Sequence, residues 1–379
     1  MARERVAVAM SGGVDSSVAA ALLVEQGWEV IGFTMRLLPE QEDAVETRAC
    51  CDAAAMEDAR RVSQALGIRH YVLDAREPFA QLVIEPFCDA YAEGRTPNPC
   101  VHCNRHLKFG LLLRRAREIG ADKLATGHYA RVAYEEARRR WVIRRGVDKA
   151  KDQSYALFAL SQEQLARALL PLGEMTKAQV RARARELGLQ VAEKAESQQV
   201  CFVSGQSYAD FVRGLRPQAA RPGAIVDTAG RQLGCHPGLL YYTVGQRHGL
   251  RLAARGPRYV VSLQAESNRL VVGGPADLLA AGLTMRAVNY VGLAELPASG
   301  LDLEVKIRAT APLAPGRAWA EGDEVHVHFA RPQRAVAPGQ AAVCYQGDVL
   351  VLGGTIARGW PVECPEAGQD DAPPPVAGG

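Results

Sequence analysis

The chain has 379 residues, more than a single hydrophobic core usually serves, so roughly two or three domains are expected. Its hydrophobic share of 48% and charged share of 23% are those of ordinary soluble globular proteins, and the net charge of +3 is too small to establish a nucleic-acid partner. No apolar run is long enough to span a bilayer and the first ten residues lack a secretory signal, so no membrane partner and a cytoplasmic location are expected.

Residues 5–10 form a mostly apolar run, expected to be a strand, that ends in Ser11-Gly12-Gly13-Val14-Asp15-Ser16-Ser17. An alanine-rich helix is expected over 18–25, stopped by Gly27, then a strand over 29–35. Helical periodicity over 52–66 closes at Gly67 and precedes a short strand at 70–73. Further helices are expected over 79–91 and 107–119, and another strand over 123–126. Strands alternating with helices imply an α/β fold: a doubly wound parallel sheet covered on both faces. Helical pattern continues over 161–170 and 176–187. From about residue 220 short β-rich runs take over, at 259–263, 270–272, 303–307 and 324–329, which favours a small central β-rich domain and then a C-terminal β-barrel. The expected boundaries are 1–205, 206–280 and 281–363, with a Pro- and Gly-rich tail, 364–379, expected to be disordered.

The glycine turn after the first strand is the strongest local feature. Two glycines let backbone N–H groups close around an anion, and the following helix aims its positive end at the same point. The Gly-Lys-Ser/Thr ending of the kinase-type phosphate loop is missing. The segment resembles instead the PP-loop of the adenylating ATP pyrophosphatases, which hold pyrophosphate while AMP is transferred to an oxygen.

Nine cysteines make an odd and irregularly spaced set, unlike a disulfide framework. In Thr96-Pro97-Asn98-Pro99-Cys100-Val101-His102-Cys103-Asn104, two prolines stiffen a loop ahead of an expected helix. A helix N-terminus favours thiolate, which makes Cys103 a candidate nucleophile or metal ligand. The Cys-x-x-Cys pair could also be half a zinc site completed by His102, His106 or Cys50-Cys51, or a redox pair. Cys201 lies where the polar stretch 196–199 meets an apolar one, while Cys88, Cys235, Cys344 and Cys364 read as ordinary buried or surface residues. Basic clusters at Arg114, Arg115 and Arg117, at 138–140, at Arg144 and Arg145, and at Lys149 and Lys151 read as solvated helix and hairpin faces, although a shared face would make a phosphate track.

Taken together, these segments resemble the tRNA-specific 2-thiouridylase family, MnmA, over roughly residues 5–358. The resemblance adds Ala125-Thr126-Gly127-His128-Tyr129-Ala130, Lys151-Asp152-Gln153-Ser154-Tyr155, residues 196–202, Tyr242-Thr243-Val244-Gly245-Gln246-Arg247, Pro338-Gly339-Gln340 and Gly353-Gly354 to the two motifs above. It implies a PP-loop, adenine nucleotide α-hydrolase-like N-terminal domain. It also implies a reaction: ATP, with Mg²⁺, adenylates the C2 oxygen of the wobble uridine of tRNA. A cysteine persulfide then delivers sulfur and AMP leaves. By resemblance, Cys201 carries the persulfide and Cys103 is its partner thiol. Ala9, Met10, Ser11, Gly12, Gly13, Val14, Asp15, Ser16, Met35 and Gly127 match ATP-contact positions. His128, Lys151, Asp152, Gln153, Arg308, Ala309 and Gln340 match tRNA contacts, and Asn98, Pro99 and Cys100 match the loop beside the target base. The implied partners are tRNA and a sulfur-donor protein, either a persulfide carrier or a cysteine desulfurase.

Cys100 stands where some relatives have an aspartate discussed as a general base, a role a cysteine does not simply inherit. It leaves three cysteines, Cys100, Cys103 and Cys201, that could ligate a [4Fe–4S] cluster with one iron open to sulfide. The stretch Lys306-Ile307-Arg308-Ala309-Thr310 also lacks the aromatic and second basic residue common after the arginine. Two other classes compete. A PP-loop synthetase acting on a small substrate would not need Cys103 and Cys201. A non-catalytic RNA- or metal-binding protein would leave residues 11–16 without a purpose.

Overall fold

The computed structural model describes residues 4–39, 53–194, 200–203, 207–252 and 256–362. Cys50, Cys51, residues 196–199 and the tail 364–379 lie outside the described residues. The first seven strands are β1 (Arg5–Ala9), β2 (Glu29–Arg36), β3 (Arg69–Asp74), β4 (Lys123–Ala125), β5 (Ala130–Glu135), β6 (Arg140–Arg145) and β7 (Ala168–Leu169). Five of them form a parallel sheet in the order β3-β2-β1-β4-β7. Val6 and Val8 point to one face and Ala7 to the other, and all three are fully buried, as expected of a sheet covered on both sides. One cover comprises the helices Val14–Glu25, Ala53–Ala65 and Lys177–Glu186. The other comprises the helical stretches 76–92 and 99–118.

Both long stretches on the second face carry wide, π-type turns, at Ala80–Ile84 and Cys103–Leu112. Pro86 explains the first: it lacks the N–H that would close an ordinary turn onto residue 82, and Glu85 instead donates to the carbonyl of Ala80. The expected helix over 107–119 begins earlier, at Pro99, because Asn98 caps it by accepting from the Cys100 N–H at 3.2 Å. The helix expected over 161–170 is shorter, Gln162–Ala166, and its end becomes β7. The free edge of β4 claims those residues: Leu124 N–H donates to Arg167 O and Thr126 N–H to Leu169 O.

The central strands are β8 (Gly223–Asp227), β9 (Gln232–His236), β10 (Tyr259–Gln264) and β11 (Arg269–Gly273), paired β10-β11-β8-β9 around Ile225, Leu250, Val260, Leu270 and Val272. The last six are β12 (Leu279–Tyr290), β13 (Leu301–Lys306), β14 (Ala314–Glu321), β15 (Glu324–Arg334), β16 (Ala341–Gln346) and β17 (Val349–Pro361). They pair β12-β15-β14-β13-β16-β17, and β12 pairs again with β17 to close an antiparallel barrel. Cys344 is fully buried in its core, where desolvation pushes the thiol up to about 12.

The β5–β6 hairpin, which sequence periodicity left unassigned, belongs to the barrel sheet although it departs from the N-terminal domain. Ile143 and Arg144 pair with Leu350 and Val349 of β17. Arg138 donates to Gly292 O and the Gln346 amide oxygen, and Arg140 donates to Val291 O and Tyr290 O. Arg131 and Lys149 both hold Asp348 at the β16–β17 turn, lowering its carboxyl's affinity for protons. Most of these basic residues therefore join domains rather than forming a solvated face.

Candidate active site

Strand order reverses between β1 and β4, so the loops that leave their carboxyl ends open a crevice at the switch point. Residues 11–16 occupy it. Gly12 has φ +65°, and a Cβ there would lie 2.1 Å from the Ala55 carbonyl oxygen, so both backbone hand and space require glycine. Gly13 is the N-cap of the helix Val14–Glu25 and supplies no side-chain cap, which leaves first-turn N–H groups for an anion. The serines brace the turn: Ser11 N–H donates to Ser16 Oγ, and the Ser16 and Ser17 hydroxyls donate to Gly13 O. Gly127, just past β4, lets the neighbouring loop abut it, since a Cβ there would sit 2.8 Å from Asp15 C and Ser16 N. Ala9 and Met10 lead into the turn, and Met35 closes the carboxyl end of β2 nearby in the sheet.

Sequence reading missed three residues here. Lys177 Nζ lies 2.8 and 2.9 Å from the two Asp15 carboxylate oxygens and 5.7 Å from the centre of the Tyr129 ring. Tyr129 Oη donates to Asp15 Oδ1 at 2.7 Å. Lys194 Nζ donates to Gly12 O and pairs with Asp58. The signal available was faint: Lys177 is a lysine at the first residue of a helix, where the dipole disfavours cations.

The cysteines approach from two segments. Cys100 is exposed in the first turn of the 99–118 stretch, and Cys103 is half-buried where its π-type turn begins. Cys103 and Cys201 both border the same buried cluster. Phe202 anchors the second segment, its ring meeting Phe79 and Phe87 edge-on at 5.6 and 5.1 Å. Among the described residues no group of three or more His, Cys, Asp or Glu side chains is placed to hold a metal ion. Cys100, Cys103 and Cys201 are accordingly not grouped as a three-thiolate cradle of the kind expected for an iron–sulfur cluster.

Barrel and N-terminal domain meet at the cysteine loop. Thr96 N–H donates to Pro338 O, and the Gln340 amide donates to Thr96 O at 3.2 Å. Gly339, at φ +89°, makes this approach: a Cβ would lie 2.8 Å from Thr96 N. Gln340 is thereby held on the segment that leads into Asn98, Pro99 and Cys100. His128 is only 9% exposed; Nδ1 lies 2.7 Å from Thr126 Oγ1 and Nε2 3.4 Å from Lys108 Nζ. Burial and then the Lys108 charge push its proton affinity well below the ordinary histidine value, so the ring is neutral and structural in its contacts. Asp152 is likewise turned inward, accepting from Gly146 and Ser154 N–H groups and the Ser154 hydroxyl, and Gln153 accepts from Tyr129 N–H. Lys151, Arg308 and Ala309 retain solvent-facing surface, although Arg308 also donates to Ala335 O.

This fold and loop define a PP-loop nucleotide-binding protein extended by two β-domains. Family models match in the same order: a tRNA methyl transferase HUP domain at 4–205, a tRNA methyl transferase PRC-barrel domain at 209–274 and an aminomethyltransferase beta-barrel domain at 280–356. A tRNA-specific 2-thiouridylase MnmA of Moorella thermoacetica is 50% identical over 92% of this chain and 98% of its own. Namesakes from Carboxydothermus hydrogenoformans and Heliobacterium modesticaldum are 47% and 46% identical, covering 94% and 99% of this chain and 98% of each relative. A solved 4-thiouridine synthetase–RNA complex with bound ATP aligns over 57% of this chain and 50% of its own at 17% identity and a TM-score of 0.36, a likeness too slight to carry weight. The chain belongs to the tRNA-specific 2-thiouridylase family.

Proposed function

We propose that this enzyme carries out ATP-dependent 2-thiolation of the wobble uridine of tRNA. The observation that carries the reading is a phosphate-type loop at the sheet's switch point, in a chain that also borders one core with Cys103 and Cys201. The loop from Ala9 to Ser16, with Met35 and Gly127, receives ATP. Magnesium would arrive with the nucleotide, and Asp15 and Asp58, held by Lys177 and Lys194 in the nucleotide-free site, would be its carboxylate ligands once those pairs open. The uridine O2 attacks the α-phosphorus, pyrophosphate leaves, and the adenylate makes that oxygen a good leaving group.

Sulfur comes as a persulfide on Cys201, loaded by a sulfur-donor protein. Its terminal sulfur attacks C2 and expels AMP, leaving the base joined to Cys201 through two sulfurs. The Cys103 thiolate then attacks the Cys201 sulfur, forming a Cys103–Cys201 disulfide and releasing 2-thiouridine. An external dithiol reduces that disulfide for the next turnover. The tRNA runs over Lys151, Arg308 and Ala309, and its flipped base enters beside Asn98, Pro99, Cys100 and Gln340. His128 and Asp152 shape that surface from beneath, and the exposed Gln153 lies on it. The cytoplasmic location belongs to the same reading.

Nucleoside mass spectrometry after incubation with ATP, tRNA and a sulfide or persulfide source tests it. The wild type forms 2-thiouridine, whereas Cys103→Ala and Cys201→Ala do not. Product formation by both variants would remove the cysteine roles. ATP cleavage driven by a small acid, with tRNA inert, would move the enzyme to the synthetase class.

A further inference from the structure

An aspartate in the first turn of an anion-binding helix suits the helix dipole but repels a triphosphate. Asp15 occupies that position, so the loop meant to receive phosphate carries a negative charge of its own. Lys177 neutralises it. The lysine is 9% exposed, contacts both carboxylate oxygens, and breaks a local rule by placing a cation at the start of the helix Lys177–Glu186.

Its backbone is fixed firmly. Thr176 and Gln179 form a capping box, and the Lys177 N–H donates to Asp148 Oδ2 at 3.0 Å. The pair is partly buried, with side-chain exposures of 11% for Lys177 and 30% for Asp15, and a partly exposed ion pair adds little net stability, so stability alone is a weak reason for this one. Its carboxylate partner lies inside the nucleotide loop. Tyr129, which donates to Asp15 Oδ1, remains to hold the carboxylate should the ammonium leave.

We propose that Lys177 is a pyrophosphate-binding residue of the adenylation step, kept on Asp15 until nucleotide arrives. On binding, the ammonium moves from the carboxylate to oxygens of the β- and γ-phosphates, which leaves Asp15 as a carboxylate that would hold a magnesium ion arriving with the nucleotide. As pyrophosphate departs, Lys177 carries the charge that develops on the leaving group. Tyr129 is the positioning residue that keeps Asp15 oriented during the exchange.

The inference rests on the nucleotide-site reading, and the test separates the two. Inhibition constants for pyrophosphate and for AMP are measured on the full chain in tRNA-dependent AMP formation, with thermal unfolding in parallel. Lys177→Met is expected to weaken pyrophosphate inhibition at least ~10-fold and turnover ~100-fold or more, with AMP inhibition unchanged within about twofold. Lys177→Arg is expected to restore much of the pyrophosphate effect. Asp15→Asn, an isosteric change, removes the loop's own charge and frees the ammonium; it is expected to tighten magnesium-free pyrophosphate when Lys177 is present but far less when combined with Lys177→Met, whereas relief of repulsion alone would tighten both equally. Equal weakening of AMP and pyrophosphate in Lys177→Met, or looser pyrophosphate in Asp15→Asn, overturns the proposal. A wild type that forms no AMP from ATP in the presence of tRNA sinks the nucleotide reading instead.

Discussion

The nucleotide loop and the sulfur region are built in opposite ways. The loop is contiguous: residues 11–16 carry their own turn, their own helix N-terminus and their own serine bracing. The sulfur region has no such unit. Cys103 rides on a helix whose π-type turn shifts its register, Cys201 is placed by Phe202 against a different helical stretch, and the barrel reaches in through Gly339. A contiguous site tolerates change elsewhere in the fold. An assembled one depends on every contact that joins the domains.

The largest expected effect breaks the comparison chemically. Cys201→Ala should drop 2-thiouridine to background in the mass-spectrometric assay while tRNA-dependent pyrophosphate release continues, because adenylation does not need that sulfur. Gly12→Ala should strike the earlier step, lowering pyrophosphate release and 2-thiouridine together. It forces a left-handed residue, costing about 1–2 kcal/mol, into a position where its Cβ meets Ala55 O at 2.1 Å. Affinity for ATP should fall at least ~10-fold, measured by titration calorimetry, with unfolding at lower temperature.

Gly339→Ala sharpens the comparison. It pushes the barrel loop off Thr96, so KM for tRNA should rise severalfold while KM for ATP stays put in steady-state kinetics. Arg138→Ala and Arg140→Ala should lower the unfolding midpoint, since each removes hydrogen bonds between hairpin and barrel worth about 1–3 kcal/mol. If those arginines instead bound phosphates, the salt dependence of tRNA binding would weaken by about one unit of log–log slope per residue. An unchanged slope is expected.

The smallest effect concerns His128. Its folded form resists protonation, whereas the unfolded chain takes a proton near the ordinary value of about 6.5. The unfolded state therefore binds more protons below that pH, and stability should fall as pH drops from about 7 to 5. His70, shifted the same way by burial, adds to the slope. Unfolding midpoints of wild type and His128→Asn across that range check it: the variant's slope should be shallower.

Much of the fold could be read because local signals were strong. The alternation of apolar runs and helix stops marked β1 to β4, and Asn98-Pro99 held the cues for a helix start, although periodicity alone placed that start eight residues late, at 107 rather than 99. The hairpin stayed unread for a physical reason. Arg138 and Arg140 look solvated in one dimension, and only the barrel's approach brings them Gly292, Gln346, Val291 and Tyr290 as acceptors, while Arg144 pairs with Glu135 within the hairpin and Arg145 with Asp152. Lys177 stayed unread likewise, since its carboxylate lies on another element and nothing in residues 176–187 points to Asp15.

The sequence by itself determined the glycine turn, its helix and the thiols, because a positive φ, an uncapped helix start and a sulfur atom are properties of single residues or short runs. Only the tertiary structure decided that His128 turns inward, that Gln340 meets Thr96, and that Lys177 sits on Asp15. Those depend on which surfaces pack together, and packing between segments distant in sequence is fixed by the whole core rather than by any one stretch of the chain.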